Sequence, residues 1–291
     1  MQKPIALVLG GGGGKGAYQI GAWKALREYG IDKRIGAVAG TSVGALNTAL
    51  FIQGDYEGAR KVWDLVDNDK ILCLDKSRYL QALKKFQLPR IFSDGIFSSQ
   101  GLLELMNTQV DLEKISRAKT PAFATCSRLP TINLKNFKLP ELHPSYFRIN
   151  GLPPEVLTSV LLASSAIPLV FDSVEINGSH YVDGGLTDNL PLSPLYDLGF
   201  RQFIVINLDM YLRLPREQYR DADIIEVMPD HTRTETLTGV LDFSPNAVQA
   251  HIDNGYKDTF LTLSSRFRLP GKNRFFGRLR ELLPDKKTSE E

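Results

Sequence analysis

Cysteine is nearly absent: Cys73 and Cys126 are the only two in 291 residues. Without C-x-x-C spacing they offer neither a disulfide framework nor a zinc site, and they fit a reducing compartment. Histidine is almost as scarce, since His143, His180, His231 and His251 are the full set and none sits in a recognisable motif. Neither sign of charge dominates. Lysine and arginine total 35 against 33 aspartates and glutamates, a formal net charge of +2, so no global field argues for nucleic acid as a partner. Long apolar runs are missing as well. The longest, "VLTSVLLASSAIPLVF" (156–171), is interrupted by Thr158, several serines and Pro168 and falls short of a membrane span. The opening "MQKPIALVLGG" lacks the apolar region and cleavage site of a secretory signal, so the expected location is cytoplasmic.

What remains is an ordinary globular balance, 43% hydrophobic and 23% charged, with ample material for a core. "IALVL" (5–9) is a continuous apolar run bounded by glycine, the pattern of a strand buried on both faces of a parallel sheet. Helical spacing follows from Gly16 to Tyr29, with Gly30 as a stop. "IGAVAG" (35–40) reads as a second strand and "TSVGALNTALFIQG" as a second helix ending near Gly54. This β-α-β-α opening with short connections marks an α/β layered fold. Further along, "YEGARKVWDLV" and "SQGLLELMNTQV" read as amphipathic helices. "PAFATCSRL" (121–129) and "RQFIVINLD" (201–209) read as strands, and 153–164 as a helix. Residues 130–154 suit a strand pair or a long surface loop. No repeat or linker is evident before about residue 210.

Three motifs carry chemistry. The first is the run Gly10 to Gly14 between a strand and a helix, where glycine is expected only if the chain needs positive φ or close approach to bare backbone. Gly11, Gly13 and Gly16 fit G-x-G-x-x-G, but the second strand ends in "AGTSVG" without the carboxylate a dinucleotide ribose requires. Lys15 is followed by Gly16 rather than Ser or Thr, so a P-loop fails too.

The second motif is Gly40-Thr41-Ser42-Val43-Gly44, a G-x-S-x-G sequence at a strand-to-helix turn, which is the context of a nucleophile elbow. A helix-capping serine is the plainer reading. If the first two strands are neighbours, the amides of Gly12, Gly13 and Gly14 face Ser42 and can receive an oxyanion. His251 could formally close a Ser–Asp–His order, yet Ser42 comes too early for that topology. The third motif is "YVDGGLTDNLP" (181–191), in which Gly184 and Gly185 leave the Asp183 carboxylate reachable for a proton from serine. An Asx-type turn is its plainer reading.

Together the glycine run, "GTSVGALN" and "ASSAIPLVFDSVEINGSHYVDGGLTDNLPLSPLYDLG" resemble, in order and approximate spacing, the patatin-like phospholipase family over roughly residues 5 to 207. The resemblance implies a three-layer α/β/α sandwich with a mostly parallel central sheet. It also implies a Ser–Asp dyad, Ser42 as nucleophile and Asp183 as general base, with Gly12, Gly13 and Gly14 lining the oxyanion hole. Lys15 matches the family's basic loop position, as an aid to anion binding or a cap on the turn. Neither metal nor organic cofactor is implied. The expected substrate is a phospholipid, lysophospholipid or related lipid, hydrolysed through an acyl-enzyme, with "VLLASSAIPLVF" as a candidate wall of the acyl channel or simply core. A non-catalytic lipid- or partner-binding protein and an acyltransferase are the alternatives.

Two regions are expected, 1–210 carrying the shared motifs and 211–291 as a mostly helical extension packed on the same body. The end of the extension mixes Arg266, Arg268, Lys272, Arg274, Arg278 and Arg280 with Phe267, Phe275, Phe276 and leucines. Such a mixture suits peripheral contact with an anionic membrane, or a solvated helix packed through its apolar residues.

Overall fold

The structure, a computed structural model, describes residues 4–71, 73–74, 97–130, 142–229 and 240–269. The glycine-bounded apolar runs form strands, and those strands make the centre of an eight-stranded sheet. In order across the sheet they are β10 (Asp223–Val227), β9 (Gln202–Ile206), β1 (Ile5–Leu9), β2 (Ile35–Thr41), β5 (Ala122–Arg128), β8 (Ser179–Asp183) and β7 (Val174–Ile176). The eighth, β6 (His143–Arg148), pairs with the other edge of β5. The pairings from β10 through β5 are parallel; those of β6, β7 and β8 are antiparallel. A short ladder of β3 (Cys73–Leu74) with β4 (Phe97–Ser98) stands apart from this sheet.

Strand alternation feeds two apolar layers at once. Ile5, Leu7 and Leu9 of β1 face one core with Ile204 and Ile206, while Ala6 and Val8 face the other with Phe203 and Val205. Both faces are therefore covered, as continuous apolar strands of a parallel sheet require. The first core is closed by α1 (Ala17–Glu28), α2 (Val43–Gln53), α3 (Tyr56–Leu65), α4 (Gln100–Gln109), α5 (Leu112–Arg117), α6 (Pro154–Ser164) and α8 (Pro245–Ser264). The second face is covered by α7 (Ser193–Asp197) and flanking segments with Leu190, Leu192 and Tyr219. The result is a three-layer α/β/α sandwich.

Local signals set the helix ends. Gly30 (φ 67°) follows α1, and Gly54 (φ 77°) caps α2, both in the left-handed region that glycine enters without a Cβ penalty. Asp55 caps α3 by accepting the Gly58 N–H. The boundary expected at residue 210 falls between β9 and β10, which are adjacent strands of the same sheet. Helix α8 packs along α1 through Ile252, Tyr256 and Phe260, with Gly21 and Gly255 at the contact. Of the basic tail, Arg266 and Arg268 belong to the described residues; Lys272, Arg274, Arg278 and Arg280 lie outside them, as does His231. No helix among the described residues is long and apolar enough to cross a membrane.

Candidate active site

Strand register brings the sequence motifs together. Residues Leu9 and Gly40 are partners in the β1–β2 ladder, so the glycine run and the Ser42 turn leave the same edge of the sheet side by side. Thr41, the last residue of β2, pairs with Thr125 of β5; Asp183, the last residue of β8, pairs with the next residue, Cys126. β2 and β8 thus meet head to head along one side of β5, because β6 occupies the other. Ser42 and Asp183 sit at that meeting point.

The elbow is tight and strained. Ser42 has φ 56° and ψ −128°, a region that non-glycine residues rarely enter, and holding it there costs about 1–3 kcal/mol. The surrounding packing enforces the turn: a Cβ on Gly40 would overlap the Gly44 carbonyl, and one on Gly44 would overlap the Leu9 carbonyl. The Ser42 N–H donates to Ser164 Oγ (3.0 Å), whose hydroxyl in turn donates to the Thr125 carbonyl (2.6 Å). Ser42 also begins α2, whose N-terminal dipole favours negative charge there.

Asp183 is 6% exposed, and burial pushes its carboxyl up from the ordinary 3.8 to about 6. The Ser42 hydroxyl facing it, and the Gly185 N–H at 2.7 Å from Oδ1, favour the ionised form and limit that rise. Gly184 is bare because a Cβ there would strike the Thr125 carbonyl. Asp183 is held by its main chain as well, its N–H donating to Ala166 O (2.9 Å) and its carbonyl accepting from Ser127 Oγ (2.7 Å). Burial, reinforced by the Asp183 charge, pushes the neighbouring Cys126 thiol well up, which leaves it protonated and inert.

The glycine loop passes over Ser42. Gly13 adopts φ 57° and opens a 3-10 turn, Gly13–Gly16, whose first amides have no preceding carbonyl of the turn to bond. Gly11, Gly12, Gly13 and Lys15 line a cavity with Ser42, Asp183 and Gly185; Gly14 and Gly16 are buried behind them. Gly16 is backed directly by Val43 and Trp63.

Polar residues that lie within or beside the motif segments, but that sequence reasoning gave no role, hold this loop. Asn189 Oδ1 accepts the Gly11 N–H (3.0 Å) and its Nδ2 donates to Gly11 O (3.4 Å), which ties the loop to the Asp183 segment. Buried Gln19 donates to Gly10 O (2.7 Å). Asn47 on α2 donates to Gly16 O (2.9 Å) and Gln19 Oε1 (2.8 Å) and accepts from Trp63 Nε1 (3.0 Å). Asp188 accepts from Tyr146 OH (2.6 Å) and the Leu190 N–H (3.1 Å), and its carbonyl accepts from Thr41 Oγ1 (2.9 Å). Asn47 is buried and Asp188 and Asn189 half-buried, and each is paired through its side chain. In the sequence they read as unremarkable polar residues.

Two cavities meet at Ser42. One, about 880 Å³ with its mouth included, is almost wholly apolar and is walled by Leu46, Leu50, Leu102, Met106, Leu161 and Phe171. The other, about 990 Å³ with its mouth, is the more polar of the two: Ile167, Leu186 and Leu208 share its lining with Lys15, Asp183, Asn189, Asp209 and Tyr211 around the same serine. Gly13, Ser42 and Ile167 border both. Within "VLLASSAIPLVF", Leu161, Ser165, Ile167 and Phe171 line the apolar cavity while Val160 and Ala163 are core. Among the described residues no histidine lines either cavity, and no cluster of His, Cys, Asp and Glu could hold a metal ion.

A strand-to-helix serine, a buried aspartate and a glycine loop on a mostly parallel sheet define a patatin-type α/β protein. The family model described as patatin-like phospholipase matches residues 7–196, and the chain belongs to that family. It is 26% identical over 188 residues to the probable lipid hydrolase 463L of Invertebrate iridescent virus 6, covering 64% of this chain and 61% of that one. It is 31% identical over 202 residues to lysophospholipase NTE1 of Chaetomium globosum, covering 68% of this chain and 11% of that one. The chain thus spans about three fifths of the viral relative and a tenth of the fungal one. Among solved structures, VipD from Legionella pneumophila is similar in fold, with TM-score 0.54 at 17% identity over 91% of this chain and 67% of that one.

Proposed function

We propose that the chain is a lipid acyl hydrolase, a phospholipase A or lysophospholipase-type esterase, using Ser42 as nucleophile and Asp183 as general base. The observation that carries this reading is the position of Ser42, which faces a buried carboxylate at the junction of an apolar cavity and a more polar one. The acyl chain lies in the apolar cavity and the alcohol portion of the ester in the polar one. Family membership and the names of the viral and fungal relatives support a lipid ester as substrate.

Ionised Asp183 takes the proton of Ser42 Oγ as that oxygen attacks the carbonyl carbon. The carbonyl oxygen gains the charge and is received by the Gly12 and Gly13 amides, with Gly14 shaping the turn behind them. One such donor is worth about 2.7–4 kcal/mol in the transition state. Collapse of the tetrahedral adduct breaks the ester C–O bond, and the proton on Asp183 passes to the departing alkoxide. Water entering from the polar cavity gives a proton to Asp183 and attacks the acyl-enzyme; the fatty acid then leaves and Ser42 recovers its proton. An aspartate near 6 is ionised at neutral pH yet more basic than an exposed one, which suits both transfers.

The test exposes wild-type and Ser42→Ala protein to a fluorophosphonate probe with intact-mass detection, then to mixed phospholipids with free fatty acid as readout. Labelling and fatty-acid release by wild type alone are expected. Equal release by folded Ser42→Ala would overturn the reading.

A further inference from the structure

Six large apolar side chains stand exposed among the described residues, and four of them gather at one place. Leu186 and Tyr211 border the polar cavity, Leu241 borders the apolar one, and Leu169 lies between Pro168 and Phe171, which line one cavity each. Tyr211 is 84% exposed and Leu169 52%. Single exposed leucines are ordinary; a group distributed along two cavities that meet at one serine is not.

Leu169 is unusual twice over. Its backbone is held at φ 70°, a left-handed conformation that leucine enters only at a cost, in a turn fixed by Val170 and Phe171 N–H groups donating to Ile167 O (3.0 and 2.9 Å). The turn is pinned from outside too, since the Phe97 N–H donates to Val170 O (2.8 Å). Strained backbone that presents an apolar side chain to solvent at a cavity mouth is poorly explained by folding, and it points to an apolar partner there.

We propose that this rim, Leu169, Leu186, Tyr211 and Leu241, is the surface by which the protein seats on a lipid bilayer. The inference rests on the hydrolase reading for its occupant, because the apolar cavity that Leu241 borders would draw an acyl chain directly from the bilayer to Ser42. Seating is apolar rather than electrostatic: binding does not require anionic lipid and survives salt that screens charge. A basic C-terminal tail acting on an anionic surface would behave in the opposite way.

The experiment uses full-length Ser42→Ala protein, which cannot turn over lipid, sedimented with phosphatidylcholine vesicles at 0.05 M and 0.5 M NaCl. Leu169→Asn and Tyr211→Ser are added in that background. Asparagine tolerates the left-handed region, so the first variant removes apolar surface without adding backbone strain. Expected are binding nearly independent of salt, a loss of about 5-fold for Leu169→Asn, and about 20-fold or more for the pair. Leu169→Asn with Ser42 intact is expected to keep its rate on a water-soluble short-chain ester while losing rate on vesicles. Undiminished vesicle binding by the double variant, absence of binding, or binding confined to anionic vesicles at low salt would each overturn the proposal. Failure of the hydrolase reading is separate, appearing as soluble-ester turnover that survives Ser42→Ala.

Discussion

Replacing Asp183 by Asn is expected to make the protein more stable and inactive. Burial raises the folded carboxyl from 3.8 to about 6, so the folded state holds this proton more tightly than the unfolded chain does. Stability from the protonated group is complete below pH 3.8 and is lost as the pH rises through 6. At pH 8 wild type carries the full cost of a buried carboxylate, about 3 kcal/mol. Asparagine carries no such cost at any pH, and its Oδ1 can still accept the Gly185 N–H. Urea unfolding followed by circular dichroism should therefore find the variant about 3 kcal/mol more stable at pH 8 and only about 1 kcal/mol more stable at pH 4.5. A variant less stable than wild type at pH 8, or a difference that does not shrink with acid, would refute the reasoning. Ester turnover by the same samples should be absent.

The same carboxyl sets the pH profile: kcat/KM on a soluble ester should rise about tenfold per pH below 6 and level off above it, and a curve bending near pH 4 would deny Asp183 the role of base. Asn189→Ala frees the Gly11 amide from its partner, so kcat should fall about 10- to 100-fold with KM little changed, as measured by steady-state kinetics. Leu105→Trp fills part of the apolar cavity from a half-buried position and should shift preference toward shorter acyl esters, read from a series of chain lengths, at a stability cost of about 1–3 kcal/mol.

The parts of the fold readable in the sequence are those where burial acts on consecutive residues. β1, β2 and β9 are covered on both faces and so spell nearly continuous apolar words, and Gly30 and Gly54 announce helix ends because the chain turns left-handed there. β6 is harder to read: residues 130–154 suited a strand pair or a loop, and His143–Arg148 is a half-exposed edge strand containing Pro144. β7, β8 and β10 are short and carry polar residues, so their pairing is decided by the sheet rather than by local pattern. In the site, glycine motifs are visible because close backbone approach leaves no alternative residue. Asn47, Ser164, Asn189 and Tyr146 are not, since their meaning lies in partners distant along the chain, 122 residues away for Ser164 and 178 for Asn189; Gln19 bonds Gly10 nearby, but helical spacing does not distinguish it from other polar residues of α1.

Because the two cavities meet only around Gly13, Ser42 and Ile167, the halves of an ester cleaved as proposed would lie in separate chambers. The alcohol can diffuse from the polar cavity while the acyl chain stays covalently parked in the apolar one, so the kinetics should be ping-pong, with product patterns in which the alcohol leads and the acid follows. The vacated polar cavity then becomes the waiting room of whichever nucleophile arrives next. Water there yields hydrolysis; an alcohol of matching shape yields transesterification. On the proposed acyl-enzyme reading, the choice between hydrolysis and transfer would thus be governed by Lys15, Asn189, Asp209 and Tyr211, side chains that need never touch the acyl group.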